Sequence, residues 1–204
     1  MQENSRQLLE QTAINLEDYL RSMRRISDAM YYSVIKDKDL EQESMDEEMT
    51  LLYEANKDNL VSIACYTYDG GLVEATPVAN EKRDVAVALQ DWFADAKNQL
   101  ENFHFSTPHV QNLFDDLTYR YYWVVSLSRT VELTYGGTST LGVLLVDMNY
   151  SSIERILDKA NSASVSSEYV YLMDPNGEII YHPKQELIRM GEYEENNLSA
   201  ITAE

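Results

Sequence analysis

Apolar or small residues in the first 34 positions follow alternating steps of four and three, the spacing of a coiled-coil stripe. Polar and charged residues separate the members of this amino-terminal stripe, which are Leu9, Ala13, Leu16, Leu20, Met23, Ser27, Met30 and Val34. Residues 1–60 contain neither proline nor glycine. We therefore predict a long helix that ends near residues 36–39, and a second helix over residues 44–56. The stripe is compatible with packing on the chain's own body and equally with packing on a partner's helix.

A β-hairpin pattern occurs twice, in residues 61–77 and in residues 169–183. Each copy has a β-branched and aromatic run, a turn that contains glycine, a short apolar run and a proline. The turns begin at Asp69 and Asp174, where an aspartate side chain accepts turn hydrogen bonds and a following glycine allows positive φ. A repeat separated by about the length of one small domain predicts two related lobes.

The segment between the two hairpins predicts further elements of the first lobe. Residues 84–100 place their apolar side chains on one helical face. Two strong strands, over 121–128 and 141–148, are joined through Gly136-Gly137, which is typical of a hairpin turn. Residues 150–161 then predict a short amphipathic helix.

These elements predict an α+β fold in which a long amino-terminal helix precedes two lobes with antiparallel sheets. We predict a helical stalk over 1–58, a first lobe over 59–149, and a connecting helix with a partial second lobe over 150–204. Residues 161–167 read as a small polar linker, and residues 190–204 are polar and weakly patterned. The second lobe is therefore expected to be smaller or truncated, or to have a poorly ordered end.

The charge of the chain narrows the classes of partner. The sequence has 16 Lys and Arg against 35 Asp and Glu, a formal net charge of −19. Such a field repels phosphate backbones, so no nucleic acid partner is expected. No apolar run approaches the roughly 20 residues of a membrane helix, and the first residues do not form a signal peptide. The sequence thus predicts either a cytosolic protein or a soluble piece of a larger one.

Catalytic and metal-binding patterns receive no support. Cys65 is the only cysteine and lies in an apolar run, which predicts a buried, inert thiol. The spacing of His104 and His109 does not place both imidazoles on one helical face, so no metal is expected there. Residues 174–178 resemble the start of a calcium loop, but the distal glutamate of such a loop is absent, which favours a plain turn. We expect no catalytic residues, no metal and no cofactor, and the chain itself is not predicted to be an enzyme.

Polar and aromatic residues of the first lobe form the candidate binding site. They are Trp92 and Phe93 on the predicted helix, His109 in a loop marked by proline, Tyr122 on a strand and Asp147 at a strand end. Asp147 terminates an otherwise apolar strand, and burying a lone carboxylate is costly. Its partner could be a cationic ligand such as an amine, or the start of the following helix.

The order of these elements resembles the double Cache (tandem PAS-like) extracytoplasmic sensor domains of bacterial receptors. The resemblance covers nearly the whole chain and includes the long helix, the first hairpin, the Trp92-Phe93 helix, the loop 106–109 and the strand 142–147. The runs 121–129, 171–174 and 180–183 are especially similar to sensor histidine kinases of Gram-positive bacteria. The resemblance implies PAS-like lobes, the first membrane-distal with the ligand pocket and the second membrane-proximal.

Members of that family that bind amino acids share a pattern of Tyr, Arg, Trp, Tyr, Tyr and Asp. Trp92 and Asp147 match it, and the resemblance implies that Asp147 holds the ligand's amine. Gln90 stands where the family has arginine, while Val85, Phe93 and His109 stand where it has tyrosines. The missing arginine removes a bidentate contact to a carboxylate worth about 1.5–3 kcal/mol. An ordinary α-amino acid is therefore not the expected ligand, which leaves an amine, a peptide, another small metabolite or no ligand at all as the alternatives.

The resemblance implies the extracellular ligand-sensing domain of a transmembrane two-component sensor histidine kinase. It would be anchored in the membrane through its parent protein and would form a homodimer through the amino-terminal helix. One alternative is the ectodomain of a chemoreceptor or of a cyclic-dinucleotide enzyme. Another is an interaction or dimerisation module that binds no ligand.

Overall fold

The fold is described from a computed structural model. It describes residues 2–77, 82, 85–98, 102–115, 122–163, 169–175 and 177–195. Contacts within the chain separate two compact units, one of residues 20–150 and one that combines residues 1–19 with residues 151–204.

The elements alternate helices with antiparallel strands, which confirms the predicted α+β class. The helices are α1 (Gln2–Ala29), α2 (Asp46–Asn56), α3 (Asp91–Asn98), α4 (Ser151–Ala163) and α5 (Gln185–Arg189). The strands are β1 (Leu60–Thr67), β2 (Leu72–Thr76), β3 (His104–Phe105), β4 (His109–Val110), β5 (Trp123–Tyr135), β6 (Thr138–Asn149), β7 (Leu172–Met173) and β8 (Ile179–Tyr181). A π-helical turn over Met30–Ile35 continues α1, and a 3-10 turn over Val87–Leu89 precedes α3.

The main sheet belongs to the unit of residues 20–150. Its strands follow the order β2-β1-β6-β5-β3, and β4 also pairs with β5. The predicted hairpin between β5 and β6 is confirmed, with Gly136 and Gly137 at φ 55° and 73° in its turn. Both glycine N–H groups donate to Asp39, at 2.8 and 2.9 Å. Backbone hydrogen bonds from Glu41 and from these glycines lower the pKa of Asp39, so that the carboxylate fixes the turn.

One face of the main sheet, which we call the Asp147 face, carries small hydroxyls beside apolar residues. Directly paired residues on β1, β6 and β5 project on the same side, in rows Ser62–Asp147–Ser126, Ala64–Leu145–Ser128 and Tyr66–Val143–Thr130. Helix α3 covers this face: Ser128 Oγ donates to the Trp92 carbonyl at 2.8 Å, and Thr130 Oγ1 donates to the Ala96 carbonyl at 2.7 Å. The hydroxyls thus bind the helix to the sheet.

The opposite face packs against the second half of α1 and the π-helical turn. Arg129 projects from this face, donates to Asp28 at 2.9 Å and lies over the Tyr31 ring at 5.0 Å. Met23 and Met30 of the amino-terminal stripe are fully buried. The carboxyl-terminal half of the stripe therefore packs on the chain's own body, one of the two alternatives that the spacing allowed.

The prediction of one continuous helix over 84–100 is wrong within the described residues. Gln90 is extended, with φ −79° and ψ 138°, and it separates the 3-10 turn from α3. Its carbonyl accepts the N–H groups of Phe93 and Ala94, both at 3.1 Å, and so opens the new helix. The chain direction changes at this residue, which leaves Leu89 82% exposed although its spacing placed it on the apolar face. Residues 84, 99 and 100 lie outside the described residues.

The second copy of the hairpin is confirmed in the unit that contains residues 151–204. β7 and β8 pair antiparallel around a turn in which Gly177 has φ 89°. Asp174 Oδ1 accepts the Glu178 N–H at 2.8 Å. The first hairpin turn likewise contains a glycine with positive φ, Gly70 at 94°. Residue 176 of the turn, residues 164–167 of the predicted linker and residues 196–204 of the predicted tail lie outside the described part of the chain.

Polar side chains join α4 to this hairpin. Asn161 binds the backbone of Val170 twice, donating to its carbonyl at 2.9 Å and accepting its N–H at 2.6 Å. Tyr181 donates to Asp158 at 2.5 Å. The sequence predicted a weakly patterned tail over residues 190–204. Its described part ends at Glu195, whose side chain is buried, so the tail is packed against the protein at that residue.

Candidate functional site

Asp147 lies in β6 at the centre of the main sheet and is only 1% exposed. Its Oδ2 accepts the Ser62 hydroxyl at 2.9 Å, and its Oδ1 accepts the Ser126 hydroxyl at 2.5 Å. Burial raises the pKa of Asp147, against the opposing effects of these two hydrogen bonds and of His109. The described partners of the carboxylate are therefore hydroxyls of the flanking strands rather than the N–H groups of α4, which begins four residues later.

His109 is connected to Asp147 through a single hydroxyl. It begins β4, opposite Val124 of β5. Its Nε2 lies 3.3 Å from Ser126 Oγ, and its Nδ1 lies 3.0 Å from the Thr107 carbonyl and 3.2 Å from Ser106 Oγ. The loop 106–109, which contains proline, thus places the imidazole of His109 near the carboxylate of Asp147, and the Ser126 hydroxyl lies between them.

Trp92 and Phe93 form an apolar wall over the same sheet face. They are 6% and 1% exposed. The Trp92 ring packs edge-on against Phe93 with centroids 5.7 Å apart, and lies 5.8 Å from the ring of Tyr66. These rings belong to the core between α3 and the sheet, so they fix the helix as well as lining any space beside it.

Gln90 and Tyr122 occupy different surroundings. Gln90 is half-buried at the start of α3, where its backbone groups begin the helix. Tyr122 precedes β5 and is 36% exposed. Its phenol lies near Tyr53 of α2, whose pKa is raised first by burial and then by Glu54 and Tyr122. Among the described residues, the structure thus joins Asp147 with His109, places Trp92 and Phe93 on the same face, and shows no side-chain hydrogen bond from Gln90 or Tyr122 to Asp147.

Sequence reasoning missed the serines that hold the carboxylate, Ser62 and Ser126. The signal was present in the strand 126–130, where Ser126, Ser128 and Thr130 alternate with larger residues. Alternation of two places all three hydroxyls on one face. Their alignment with Asp147 depends on the pairing register, which the sequence does not state.

A separate surface depression lies elsewhere on this unit. Its lining residues are Thr67, Tyr68, Asp69, Lys97, Tyr135, Thr140 and Leu141. Lys97 Nζ lies 4.1 Å from the centre of the Tyr68 ring there. None of the six predicted site residues lines it, so the candidate site remains the surroundings of Asp147.

Comparisons with known proteins agree with this architecture. A family model described as a Cache domain (dCache) matches residues 1–203. No curated protein sequence matches the chain.

Several solved structures share the fold. One is the ligand-binding domain of the Campylobacter jejuni chemoreceptor Tlp3 in complex with 4-methylisoleucine, at 14% identity and TM-score 0.65, covering 91% of this chain and 71% of that chain. Another is the Pseudomonas aeruginosa amino acid chemoreceptor PctC with GABA, at 16% identity and TM-score 0.67, covering 89% and 75%. A third is the Pseudomonas fluorescens chemoreceptor CtaA with L-valine, at 16% identity and TM-score 0.63, covering 92% and 78%. The match of the family model over almost the entire sequence confirms the predicted resemblance, and the chain belongs to the double Cache family.

Proposed function

We propose that this domain senses a small metabolite with a cationic amine, which binds beside Asp147 on the Asp147 face. The observation that carries the proposal is the buried carboxylate of Asp147, which is held from both sides by Ser62 and Ser126. Burying a carboxylate without a cation lowers stability, and such groups cluster at functional sites. A ligand amine supplies the missing positive charge.

The surroundings of Asp147 suit an ammonium group. An ionised carboxylate offers about four lone-pair positions, and the described serines use two. The Trp92 and Tyr66 rings stand over the same face, and aromatic faces attract cations by about 0.5–2 kcal/mol. Charge, hydrogen bonding and aromatic surface therefore favour the same class of ligand.

The opposite end of the ligand is not expected to be an α-carboxylate. Gln90 is neutral and occupies the position that the family resemblance assigns to a carboxylate-binding arginine. A neutral amide makes weaker hydrogen bonds to a carboxylate than a bidentate guanidinium does. We therefore place simple amines and other amine-containing metabolites ahead of ordinary α-amino acids.

We assign the parent protein to the transmembrane sensor histidine kinases, with this domain on the extracellular side. The support is the similarity of residues 121–129, 171–174 and 180–183 to that class. A chemoreceptor is the second candidate, because the similar structures above are chemoreceptor domains; a cyclic-dinucleotide enzyme is a third host of the same class. Among the described residues, no helix is long and apolar enough to span a membrane. The sequence of the cytoplasmic module beyond the flanking spans distinguishes the three hosts.

Signalling requires that ligand binding change a conformational equilibrium. A ligand shifts two conformations only by the difference in its affinity for them. Helix α1 supplies residues to both compact units, which makes it our candidate carrier of the signal. We also propose that a homodimer forms through the exposed half of the amino-terminal stripe, where Leu9 is 51% and Leu20 is 36% exposed.

A thermal-shift screen tests the proposal. Amines, amino acids and neutral metabolites are added to the purified domain and to its Asp147→Asn variant. The expected result is that amine compounds raise the melting temperature of the wild type and leave Asp147→Asn unchanged. Thr130→Val serves as the control, because it removes another buried hydroxyl from the same face without approaching the carboxylate. If the compounds that stabilise the wild type stabilise Asp147→Asn by the same amount, the ligand does not bind beside Asp147.

A further inference from the structure

Residues 103–109, which we call the edge segment, lie along one edge of the main sheet. The edge segment contains β3, which pairs with β5 through His104 and Phe105, and the first residue of β4, His109. Main-chain pairing is interrupted between the two strands, where Pro108 has no N–H to donate. By contrast, β5 pairs with β6 along almost its whole length. The edge segment is therefore held by shorter runs of main-chain pairing than β5 is.

Side chains of the edge segment alternate between the two faces of the sheet, as they do in any strand. His104 pairs with Ser128, whose hydroxyl lies on the Asp147 face. His104 therefore projects toward that face, and its neighbours Phe103 and Phe105 project toward α1. A shift of this short stretch of backbone thus moves side chains on both faces of the sheet.

Ser106 joins the edge segment to the residue that holds Asp147. Its N–H donates to the Ser126 carbonyl at 2.9 Å, and its hydroxyl accepts the Ser126 N–H at 2.9 Å. The Ser126 hydroxyl in turn donates to Asp147 at 2.5 Å. His109 Nε2 adds a second contact, 3.3 Å from Ser126 Oγ. A change in the position of Ser126 beside the carboxylate therefore acts directly on the edge segment.

Phe103, at the other end of the edge segment, contacts two arginines. The centre of its ring lies 5.3 Å from the guanidinium of Arg24 on α1 and 4.6 Å from that of Arg129 on β5. Arg24 also lies 5.9 Å from the centre of the Phe105 ring, and Arg129 donates to Asp28 of α1 at 2.9 Å. Cation–π attraction is significant only within about 6 Å of the ring centre. A small displacement of the edge segment therefore changes its contact with α1.

We propose that the edge segment transmits occupation of the Asp147 site to helix α1, with Ser106 as its anchor at the site and Phe103 as its contact with the helix. This inference rests on the proposed function, because the signal is a cation that binds beside Asp147. Such a cation competes with the Ser126 hydroxyl for the carboxylate. Ser126 then moves, the edge segment follows through Ser106, and the packing of the Phe103 ring on α1 changes.

β5 also reaches both places, because it carries Ser126 on one face and Arg129 on the other. The register between β5 and β6 is fixed by the side chains on both faces. A shift of β5 would disturb that pairing, whereas a shift of the edge segment leaves it intact. A ligand changes an equilibrium only by its difference in affinity for two conformations. The route with less pairing to disrupt therefore needs the smaller difference.

The coupling is tested in the ligand-free domain by nuclear magnetic resonance of protein labelled with ¹⁵N in arginine. The Nε–H signal of Arg24 reports its position over the Phe103 ring, because aromatic rings shift the resonances of nearby protons. Asp147→Asn alters the group that the Ser126 hydroxyl binds, and so imposes a change at the site. We expect this variant to shift the Arg24 signal and to leave unchanged the signal of Arg155, which belongs to the other compact unit.

Two serine variants separate transmission through the edge segment from a general disturbance of the site. Ser106→Ala removes the hydroxyl that holds the edge segment to Ser126, so Asp147→Asn should no longer shift the Arg24 signal when the two are combined. Ser62→Ala is the matched control. It removes a hydroxyl that contacts Asp147 directly, at 2.9 Å, but from β1. The response of Arg24 should persist in that background.

An Arg24 signal that Asp147→Asn leaves unchanged would overturn the proposal, and so would a response that survives Ser106→Ala. If Ser106→Ala does not fold, urea unfolding of Asp147→Asn, Phe103→Leu and their combination replaces it. Distant substitutions normally have additive effects on the free energy of unfolding, so non-additive effects support the coupling and additive effects contradict it. Because no ligand is present, a failure here is distinct from a failure of amine binding, which the thermal-shift screen tests.

Discussion

Asp147 places the requirements of binding and of stability in conflict at a single residue. Its burial raises the pKa of the folded carboxyl group above the ordinary value that it has in the unfolded chain. The stability that protonated Asp147 contributes is therefore fully present below that value and is lost as pH rises through the folded pKa. Functional sites often keep such destabilising groups.

We predict that Asp147→Asn melts at a higher temperature than the wild type at pH 8. The amide retains one acceptor and gains a donor for the two serine hydroxyls but has no charge to desolvate. A gain of about 1 kcal/mol corresponds to roughly 2–4 °C for a chain of this size. The gap should narrow at pH 5, and calorimetry at both pH values measures it. Asp95→Asn, at an exposed site on α3, is the control; equal gaps at both pH values would contradict the account.

Cys65 is predicted to be unreactive in the native state. It is fully buried, and burial raises the pKa of its thiol from 9.0 to about 12. The thiolate is the reactive form, so each pKa unit lowers its fraction about tenfold and labelling should slow by about 1,000-fold relative to the unfolded chain. The release of thionitrobenzoate from Ellman's reagent at pH 8, with and without urea, measures both rates. Similar rates would mean that the β1 core opens readily.

Among single residues, the sequence predicted those whose role follows from a pattern within one strand or one motif. Asp147 was found because an acid ends an apolar strand, and Cys65 because it lies inside one. Ser126 was missed because its role depends on the register of β5 against β6. Pairing register is set by the whole sheet and by its turns, so no local pattern reveals which serine faces the carboxylate.

Among the elements, α1 divides into a half that the protein buries and a half that it leaves open. Met23 and Met30 are fully buried, whereas Leu9 and Leu20 are exposed. We predict that Leu20→Glu weakens the homodimer at least tenfold, because a carboxylate in an apolar seam loses its hydration. Sedimentation equilibrium measures the dimer constant.

Gln7→Glu is the matched control for that measurement. It introduces the same charge at an exposed position two residues before the stripe begins. The control should leave the dimer constant within a factor of two. An unchanged dimer in Leu20→Glu would place the interface away from this helix, and a monomeric wild type would refute the homodimer.

The hairpin of β7 and β8 is tied to the following segment by Glu195. Its Oε2 lies 2.6 Å from the Tyr169 hydroxyl, 3.2 Å from the Tyr193 hydroxyl and 3.1 Å from His182 Nε2. The hydrogen bond from Tyr169, followed by those from His182 and Tyr193, lowers the pKa of Glu195 below the ordinary value of a glutamate side chain. The corresponding stability is present above the pKa of the unfolded chain and is lost as the pH falls through the lower folded pKa.

We predict that Glu195→Gln lowers the urea midpoint at pH 7 and that this deficit shrinks as the pH approaches 3. The neutral amide keeps the size of the side chain but makes weaker hydrogen bonds than a carboxylate. Urea unfolding followed by circular dichroism gives the midpoints. Glu192→Gln, at an exposed neighbouring position, should match the wild type at both pH values. A deficit that persists unchanged at pH 3 would mean that the carboxylate charge is not what stabilises the segment.

The sequence predicted a helix or strand correctly where its hydrophobic periodicity and its turn residues indicated the same structure. Both hairpins were placed correctly because glycines with positive φ mark their turns. The prediction of one helix over 84–100 was wrong because Gln90 is extended and interrupts the helical periodicity. Periodicity averages over a window and does not detect a change at a single residue.

At the scale of the whole molecule, the order of the predicted elements along the chain identified the family, and the family model matches residues 1–203. The boundaries at 58/59 and 149/150 stay predictions. One of the two compact units combines residues 1–19 with 151–204, an association of distant segments that a linear reading of patterns does not supply. Only the folded chain brings the ends of the sequence into one unit.

The central claim is that Asp147 binds the cationic group of a small ligand. Isothermal titration calorimetry of the strongest amine from the screen into wild type, Asp147→Asn and Thr130→Val tests it most directly. We predict that Asp147→Asn weakens binding at least tenfold, which corresponds to about 1.4 kcal/mol, while Thr130→Val binds like the wild type. Equal affinity of the wild type and Asp147→Asn for that amine would contradict the account.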